Sequence, residues 1–297
     1  MAADAAIREG QFAALPNGMR LHYASAGDPG RPLILYLHGF PEFWWAWHRQ
    51  LADFGGEYFA VAPDLRGYNL SEKPSEVSAY RAKHLVEDLR LLIAHLGHAR
   101  CVLVAHDWGG ALAWNLALAH PQLLERLIIV NAPHPYLFWR ALKTDPLQQK
   151  ASSYMNWLRA PQSEALLAAD DYQRMDQLLS SGAAPPPWYQ AAERARYRAA
   201  WSRGLSGPLN YYRASPLHPP TAQEPGPAAL EWKPDDFTVR VPTRVIWGEN
   251  DIALPASLLD GLHSVVDDLE IVRIPEGTHW VVHEQPERIS QLIRGFI

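Results

Sequence analysis

The sequence predicts a doubly wound α/β fold: a mostly parallel sheet of eight strands with helices on both faces, interrupted once by a helical insertion. Three observations carry that expectation. Strand-like and helix-like segments alternate from residue 10 to residue 130. Several strand-like runs are apolar at every position, the pattern of strands covered on both sides. The alternation stops near residue 131, and resumes at residue 241 with two further strands and a closing helix.

Residues 10–15 and 19–26 read as two strands joined by Pro16-Asn17-Gly18, where the Asn-Gly pair supplies the positive φ of a hairpin turn. PLILYLH (32–38) is a third strand, followed by the loop His38-Gly39-Phe40-Pro41-Glu42 and an aromatic helix through Trp44, Trp47 and Leu51. YFAVAP (58–63) is the fourth, continued by Asp64-Leu65-Arg66-Gly67-Tyr68. Residues 79–96 place Leu85, Leu89 and Leu92 at helical spacing among charged residues. The fifth strand, 101–106, leads into a helix ending near His120-Pro121, and 127–130 is the sixth. From residue 133 to residue 238 no β-rich run occurs; helices are expected at 148–158 and 165–179, punctuated by Pro185-Pro186-Pro187, Pro219-Pro220, Pro225 and Pro227. That segment is expected to be a lid on a core formed by residues 1–132 and 239–297, because an insertion at the carboxyl end of a strand overhangs the ligand crevice of an α/β sheet. Residues 241–247 and 269–274 complete the sheet, and 285–297 form the last helix.

The composition, 48% hydrophobic and 20% charged, is that of an ordinary globular protein, and a net charge of -5 gives no electrostatic reason to expect nucleic acid or anionic membrane as a partner. A small-molecule substrate is expected. The single cysteine, Cys101, opens an apolar strand and reads as a buried hydrophobe. The N-terminal residues lack the basic and apolar regions of a secretory signal, and no apolar run approaches the roughly 20 residues that span a bilayer. A cytoplasmic monomer or homodimer is the expectation.

Chemistry concentrates in CVLVAHDWGG, residues 101–110. The strand breaks off at Asp107 and a helix opens at once, so the carboxylate sits at a sharp turn on the sheet's edge, with Ala105 and Gly109 keeping bulk away. These residues alone leave two readings open, an exposed reactive carboxylate or a simple helix N-cap. The loops Gly248-Glu249-Asn250-Asp251 and Gly277-Thr278-His279-Trp280 follow strands whose ends fall on the same edge. Asp107, Asp251 and His279 then stand in the chain order nucleophile, acid, histidine. His279 and His283 at i, i+4 beside Glu284 raise a zinc reading, disfavoured by the preceding glycine and the absence of a third ligand in sequence. Arg194, Arg196, Arg198 and Arg203 read as a solvated lid surface.

With HGFPE at His38, DLRGY at Asp64, HDWGG at His106, GEND at Gly248 and GTHW at Gly277, the chain resembles α/β-hydrolases of the soluble epoxide hydrolase and haloalkane dehalogenase group, closest to the epoxide hydrolases. The resemblance spans nearly the whole sequence. It implies that Asp107 attacks carbon to form an alkyl ester, and that His279, oriented by Asp251, activates the water that hydrolyses it. It assigns the oxyanion donors to the backbone N–H groups of Phe40 and Trp108, and implies a cis peptide before Pro41. Tyr154 and Tyr212 match the two lid tyrosines that protonate an epoxide oxygen, with Tyr211 a register alternative. His38, Pro41, Trp108, Trp157 and Trp280 are expected around the substrate, with Trp201 a further pocket candidate; no cofactor or metal is implied.

Haloalkane dehalogenases and fluoroacetate dehalogenases share the nucleophile. The former usually place Asn where this chain has Phe40, and the latter place arginines where it has Trp108 and Ala111. Both departures favour the epoxide reading. A non-enzymatic ligand sensor on the same fold would be expected to lack a triad residue, and none is missing.

Overall fold

Eight strands form one sheet in a computed structural model that describes residues 6–180 and 185–297. The first five residues, part of the N-terminal reading above, lie outside the described set. The strands are β1 (Arg8–Ala14), β2 (Arg20–Ala26), β3 (Leu33–Leu37), β4 (Phe59–Pro63), β5 (Cys101–His106), β6 (Leu124–Val130), β7 (Thr243–Gly248) and β8 (Leu269–Ile274), in spatial order β1-β2-β4-β3-β5-β6-β7-β8. β1 and β2 pair antiparallel through the predicted hairpin, where Gly18 takes φ +85, and β2 pairs antiparallel with β4. All other pairs are parallel. β3, β4 and β5 are buried at every residue, as runs such as LILYL and CVLVAH demand. Cys101 lies among them, its thiol pKa pushed up by burial.

Parallel pairing requires crossovers, and helices α1 (His48–Phe54), α2 (Ala82–His95) and α3 (Asp107–Ala119) supply them on the amino-terminal half. From β3 the chain steps outward to β4, then returns to β5 on β3's other side. That reversal parts the loops leaving β3 and β5, the place where open α/β sheets bind ligands. HGFPE and Asp107 stand on its two sides.

Between β6 and β7 come α4 (Pro135–Thr144), α5 (Pro146–Ala151), α6 (Ser153–Arg159), α7 (Ser163–Ser180), α8 (Ala191–Trp201) and α9 (Ser206–Ala214), with no strand among the described residues. The chain closes with α10 (Val281–Glu284) and α11 (Pro286–Arg294), which packs on α1. The insertion departs from sequence expectation in three places. The helix expected at 148–158 is two helices broken at Ser152, whose hydroxyl accepts a bond from Gln148 at 2.8 Å. The helix expected at 165–179 is kinked: Asp170, Asp171 and Tyr172 take φ of 51, 52 and 63. Tertiary contacts override helix propensity there, because Asp171 pairs with Arg198 while the Tyr172 ring packs on Trp201 at 5.8 Å. Two of the four arginines are less solvated than expected: Arg194 and Arg198 bind Asp176 at 2.7 and 2.6 Å, while Arg196, 3.9 Å over the Trp45 ring, and Arg203 are exposed as foreseen. No described helix is long and apolar enough to cross a membrane.

Candidate active site

Asp107 is the first residue of α3 and has φ 50, a left-handed conformation forced by the abrupt change from β5 to helix. Such a turn tolerates no bulk. A Cβ on Gly39 would fall 2.3 Å from the Asp107 Cβ, and one on Gly109 would fall 2.5 Å from the His38 carbonyl oxygen. The Asp107 carboxylate does not serve as the helix cap. The N-cap position belongs to His106, and Asp107 Oδ1 instead accepts the Phe40 N–H at 2.7 Å from the loop after β3. The Phe40-Pro41 peptide is cis.

The other two polar loop residues reach the same point. His279 Nδ1 lies 2.6 Å from Asp251 Oδ2, while its Nε2 faces Asp107 Oδ2 at 3.7 Å. Asp251 is fixed on every side: Oδ1 accepts the N–H groups of Ala253 and Leu254, both at 2.9 Å, and Oδ2 also accepts Asn131 Nδ2 at 2.9 Å. Burial opposes ionisation of Asp251. The facing His279 charge and these donors outweigh it and hold the carboxyl below its usual range. Burial likewise works against the His279 imidazolium, but Asp251, then Asp107, raise its pKa to about 9.

Asn131 is a residue that sequence reasoning missed. It directly follows β6 in a left-handed conformation, φ 40, and its Oδ1 accepts Gly248 N–H at 2.8 Å, joining the end of β6 to the Asp251 loop. Its signal was available, since Asn at a strand end before Ala-Pro is a residue type that tolerates this backbone.

A second buried cluster was also missed. Glu42 Oε1 accepts the Tyr197 hydroxyl at 2.7 Å and stands 2.5 Å from His283 Nε2, while Oε2 faces His106 Nδ1 at 3.4 Å. His106 Nε2 in turn donates to the His279 carbonyl at 2.8 Å. Burial disfavours the Glu42 charge, but the two histidines overcome it and keep its carboxyl well below the ordinary range. Trp188 stacks on His283 at 4.2 Å. Glu42 therefore ties the β3 loop to the His279 loop and to α8. The zinc reading of His279 and His283 fails on this geometry, because each ring is committed to a different carboxylate and α10 begins only after His279.

A cavity of about 220 Å³ opens on Asp107, with Trp108, Tyr154 and Tyr212 also in its wall and mostly apolar residues of α2, α3, α4, α6 and α9 around the rest. Tyr211 also lines the cavity and packs against Trp108 at 5.6 Å, but its hydroxyl donates to the Arg66 carbonyl at 3.0 Å; Tyr212 packs against Trp108 at 5.1 Å and Tyr154 at 6.3 Å. Burial, with Asp107 nearby, raises both the Tyr154 and Tyr212 phenols, so both remain proton donors at neutral pH.

Four expected substrate contacts lie elsewhere. His38 is fully buried, its Nδ1 on the Gly39 carbonyl at 2.9 Å and its Nε2 accepting Leu65 N–H at 3.1 Å, so it braces the loop and is kept neutral by burial. The Pro41 carbonyl accepts the Trp201 indole N–H at 2.7 Å, which takes Trp201 out of the pocket as well. Trp157 lies beneath Arg174, and Trp280 packs edge-on against His279 at 4.9 Å, neither lining the cavity. Long aromatic side chains near a site are as readily used for packing as for contact, and sequence spacing does not separate the two.

Comparison with known proteins places the fold. A family model described as the alpha/beta hydrolase fold matches residues 32–286. The AB hydrolase superfamily protein YfhM of Bacillus subtilis is 37% identical over 287 residues, 95% of each chain. Epoxide hydrolase 3 of Xenopus tropicalis is 35% identical over 290 residues, 95% of this chain and 75% of its own length. Among solved structures, the Bacillus megaterium epoxide hydrolase bound to an inhibitor superposes with a TM-score of 0.85 at 33% identity, covering 96% of this chain and 99% of that one.

Proposed function

The chain belongs to the α/β-hydrolase fold family, and from that premise we propose that it is an epoxide hydrolase, adding water to an epoxide to give a vicinal diol through a covalent ester on Asp107. One observation carries the reading: a carboxylate at a strained turn lines the same apolar cavity as Tyr154 and Tyr212. An oxirane is a strained electrophile whose oxygen needs a proton as it leaves carbon, and this cavity presents a nucleophile and two acids together.

The steps follow from the groups present. An Asp107 carboxylate oxygen attacks one oxirane carbon, and the departing oxygen takes a proton from Tyr154 or Tyr212, leaving a hydroxyl and an alkyl ester. Esterification removes the Asp107 charge, one of the influences that raise the His279 pKa to about 9. The imidazole then gives up its proton, which passes through solvent to the tyrosinate, and as the neutral base takes a proton from water. That water's oxygen bonds to the ester carbonyl carbon, generating an oxyanion. The Phe40 N–H, which already donates to Asp107 Oδ1 at 2.7 Å, stabilises it together with the Trp108 N–H. Collapse expels the diol, whose departing oxygen takes the second proton of that water, and restores the Asp107 carboxylate beside a protonated His279, the resting state. Asn131 and Asp251 hold the histidine throughout. The helices of residues 133–238 act as the lid that carries both acids.

The substrate is an epoxide with an apolar arm. A cavity of about 150 Å³ holds benzene, so one of about 220 Å³ suits an epoxide bearing a single aromatic ring. Halide release, the alternative, needs side-chain donors around the leaving group; the Phe40 side chain offers none, and two of the three relatives named above are epoxide hydrolases. The test is a panel of aryl and alkyl epoxides, haloalkanes and fluoroacetate, assayed for diol and for halide. Diol from aryl epoxides with no halide from the other compounds supports the reading; halide alone overturns it.

A further inference from the structure

Resting on the reading just given, we infer that Arg159 is a positioning residue that fixes the distance between the two acid phenols. Tyr154 lies in the first turn of α6 and Arg159 in its last; Tyr212 lies near the end of α9, which packs directly on α6. An α-helix leaves its last carbonyls without partners. On α9 those carbonyls are taken by a side chain of the other tyrosine's helix: Arg159 Nη1 donates to the carbonyl of Tyr212 at 2.8 Å and of Ser215 at 3.0 Å, with Arg213 more distant at 3.4 Å. Its Nη2 pairs with the Glu224 carboxylate at 2.5 Å.

The geometry makes this more than a helix cap. A guanidinium is a flat, rigid fork, so donors anchored on Glu224 and on the Tyr212 carbonyl cannot swing independently. The residue whose backbone is gripped is the one whose phenol faces Tyr154, with ring centres 6.3 Å apart. Asn156 adds a second tie from α6 to the chain beyond α9, donating to the Pro219 carbonyl at 3.0 Å. Arg159 contacts neither the cavity nor Asp107, Asp251 or His279. Its effect is therefore confined to ring opening, the step in which the phenols act, and spares ester hydrolysis, which uses His279 and the oxyanion donors.

The experiment resolves the two steps by stopped-flow tryptophan fluorescence and acid quench, using an aryl epoxide that the wild-type enzyme turns over. Arg159→Gln is expected to slow ester formation by about 10-fold to 100-fold, the scale of a 1 Å misplacement, with ester hydrolysis changed by less than about twofold. Arg159→Lys, which keeps the charge but loses the fork, is expected to fall between the two and guards against a glutamine variant that fails to fold. Glu224→Gln leaves the carbonyl contacts in place and is expected to slow ester formation by no more than about threefold. Equal slowing of both steps, or unchanged ester formation, would overturn the positioning role while leaving the epoxide reading intact. Failure of the wild-type enzyme to form an ester with any epoxide would overturn the reading itself.

Discussion

Replacing Asp107 with asparagine imitates the charge change of esterification and is expected to lower the pKa of His279. In the resting protein that pKa is about 9, with burial working against the charged imidazole and Asp251, Asp107 and Glu42 working for it. Asp107 Oδ2 lies 3.7 Å from His279 Nε2. Two unit charges at that distance attract by about 4 kcal/mol at an effective dielectric near 20, and each tenfold in protonation is about 1.4 kcal/mol. With Asp251 still in place, the midpoint is expected between roughly 6 and 8. Histidine nitrogen NMR on the wild type and Asp107→Asn reads it directly. A midpoint that stays near 9 or rises would refute the coupling between ester formation and activation of the base. The sign for stability follows from linkage. A raised histidine pKa stabilises the fold fully below its ordinary value of 6.5 and loses that contribution as pH climbs through about 9. Melting temperature should therefore fall less over that interval in Asp107→Asn than in the wild type.

Tyr154→Phe and Tyr212→Phe are each expected to slow ring opening by at least about 100-fold in single-turnover experiments, the lower range for losing a general acid. Tyr211→Phe, which loses its bond to the Arg66 carbonyl, is expected to cost about 1 kcal/mol in urea unfolding and to slow ring opening far less. The reverse ranking would exchange the two tyrosines' roles. Glu42→Ala strips the buried partner from His106, His283 and Tyr197, and is expected to destabilise the protein by about 3–5 kcal/mol in urea unfolding. An unchanged midpoint would mean that the cluster contributes no stability.

The sheet was legible because its strands are unambiguous: LILYL and CVLVAH have no polar face to place in solvent, and Asn17-Gly18 announces the hairpin. Asp107, Asp251 and His279 were legible because each follows a strand whose end had to reach the same edge. The kink at Asp170 was not, since it depends on Arg198 and Trp201 arriving from α8. Glu42 was noticed only as part of a motif, because its partners stand at positions 106, 197 and 283 and nothing local to residue 42 marks them. Trp157 and Trp280 misled for the converse reason, being aromatic and close in sequence to the site while packed away from its cavity. Arg159 gave no signal at all, as capping by a distant side chain has no sequence spacing.

The covalent role of Asp107 is tested most directly by a single turnover in ¹⁸O-labelled water, with enzyme in excess over an aryl epoxide and the diol examined by mass spectrometry. The first diol is expected to carry no label, because its new oxygen comes from the Asp107 carboxylate, and the heavy oxygen is left on the enzyme. Label in the first diol would mean that water attacks the epoxide directly and would contradict the ester mechanism.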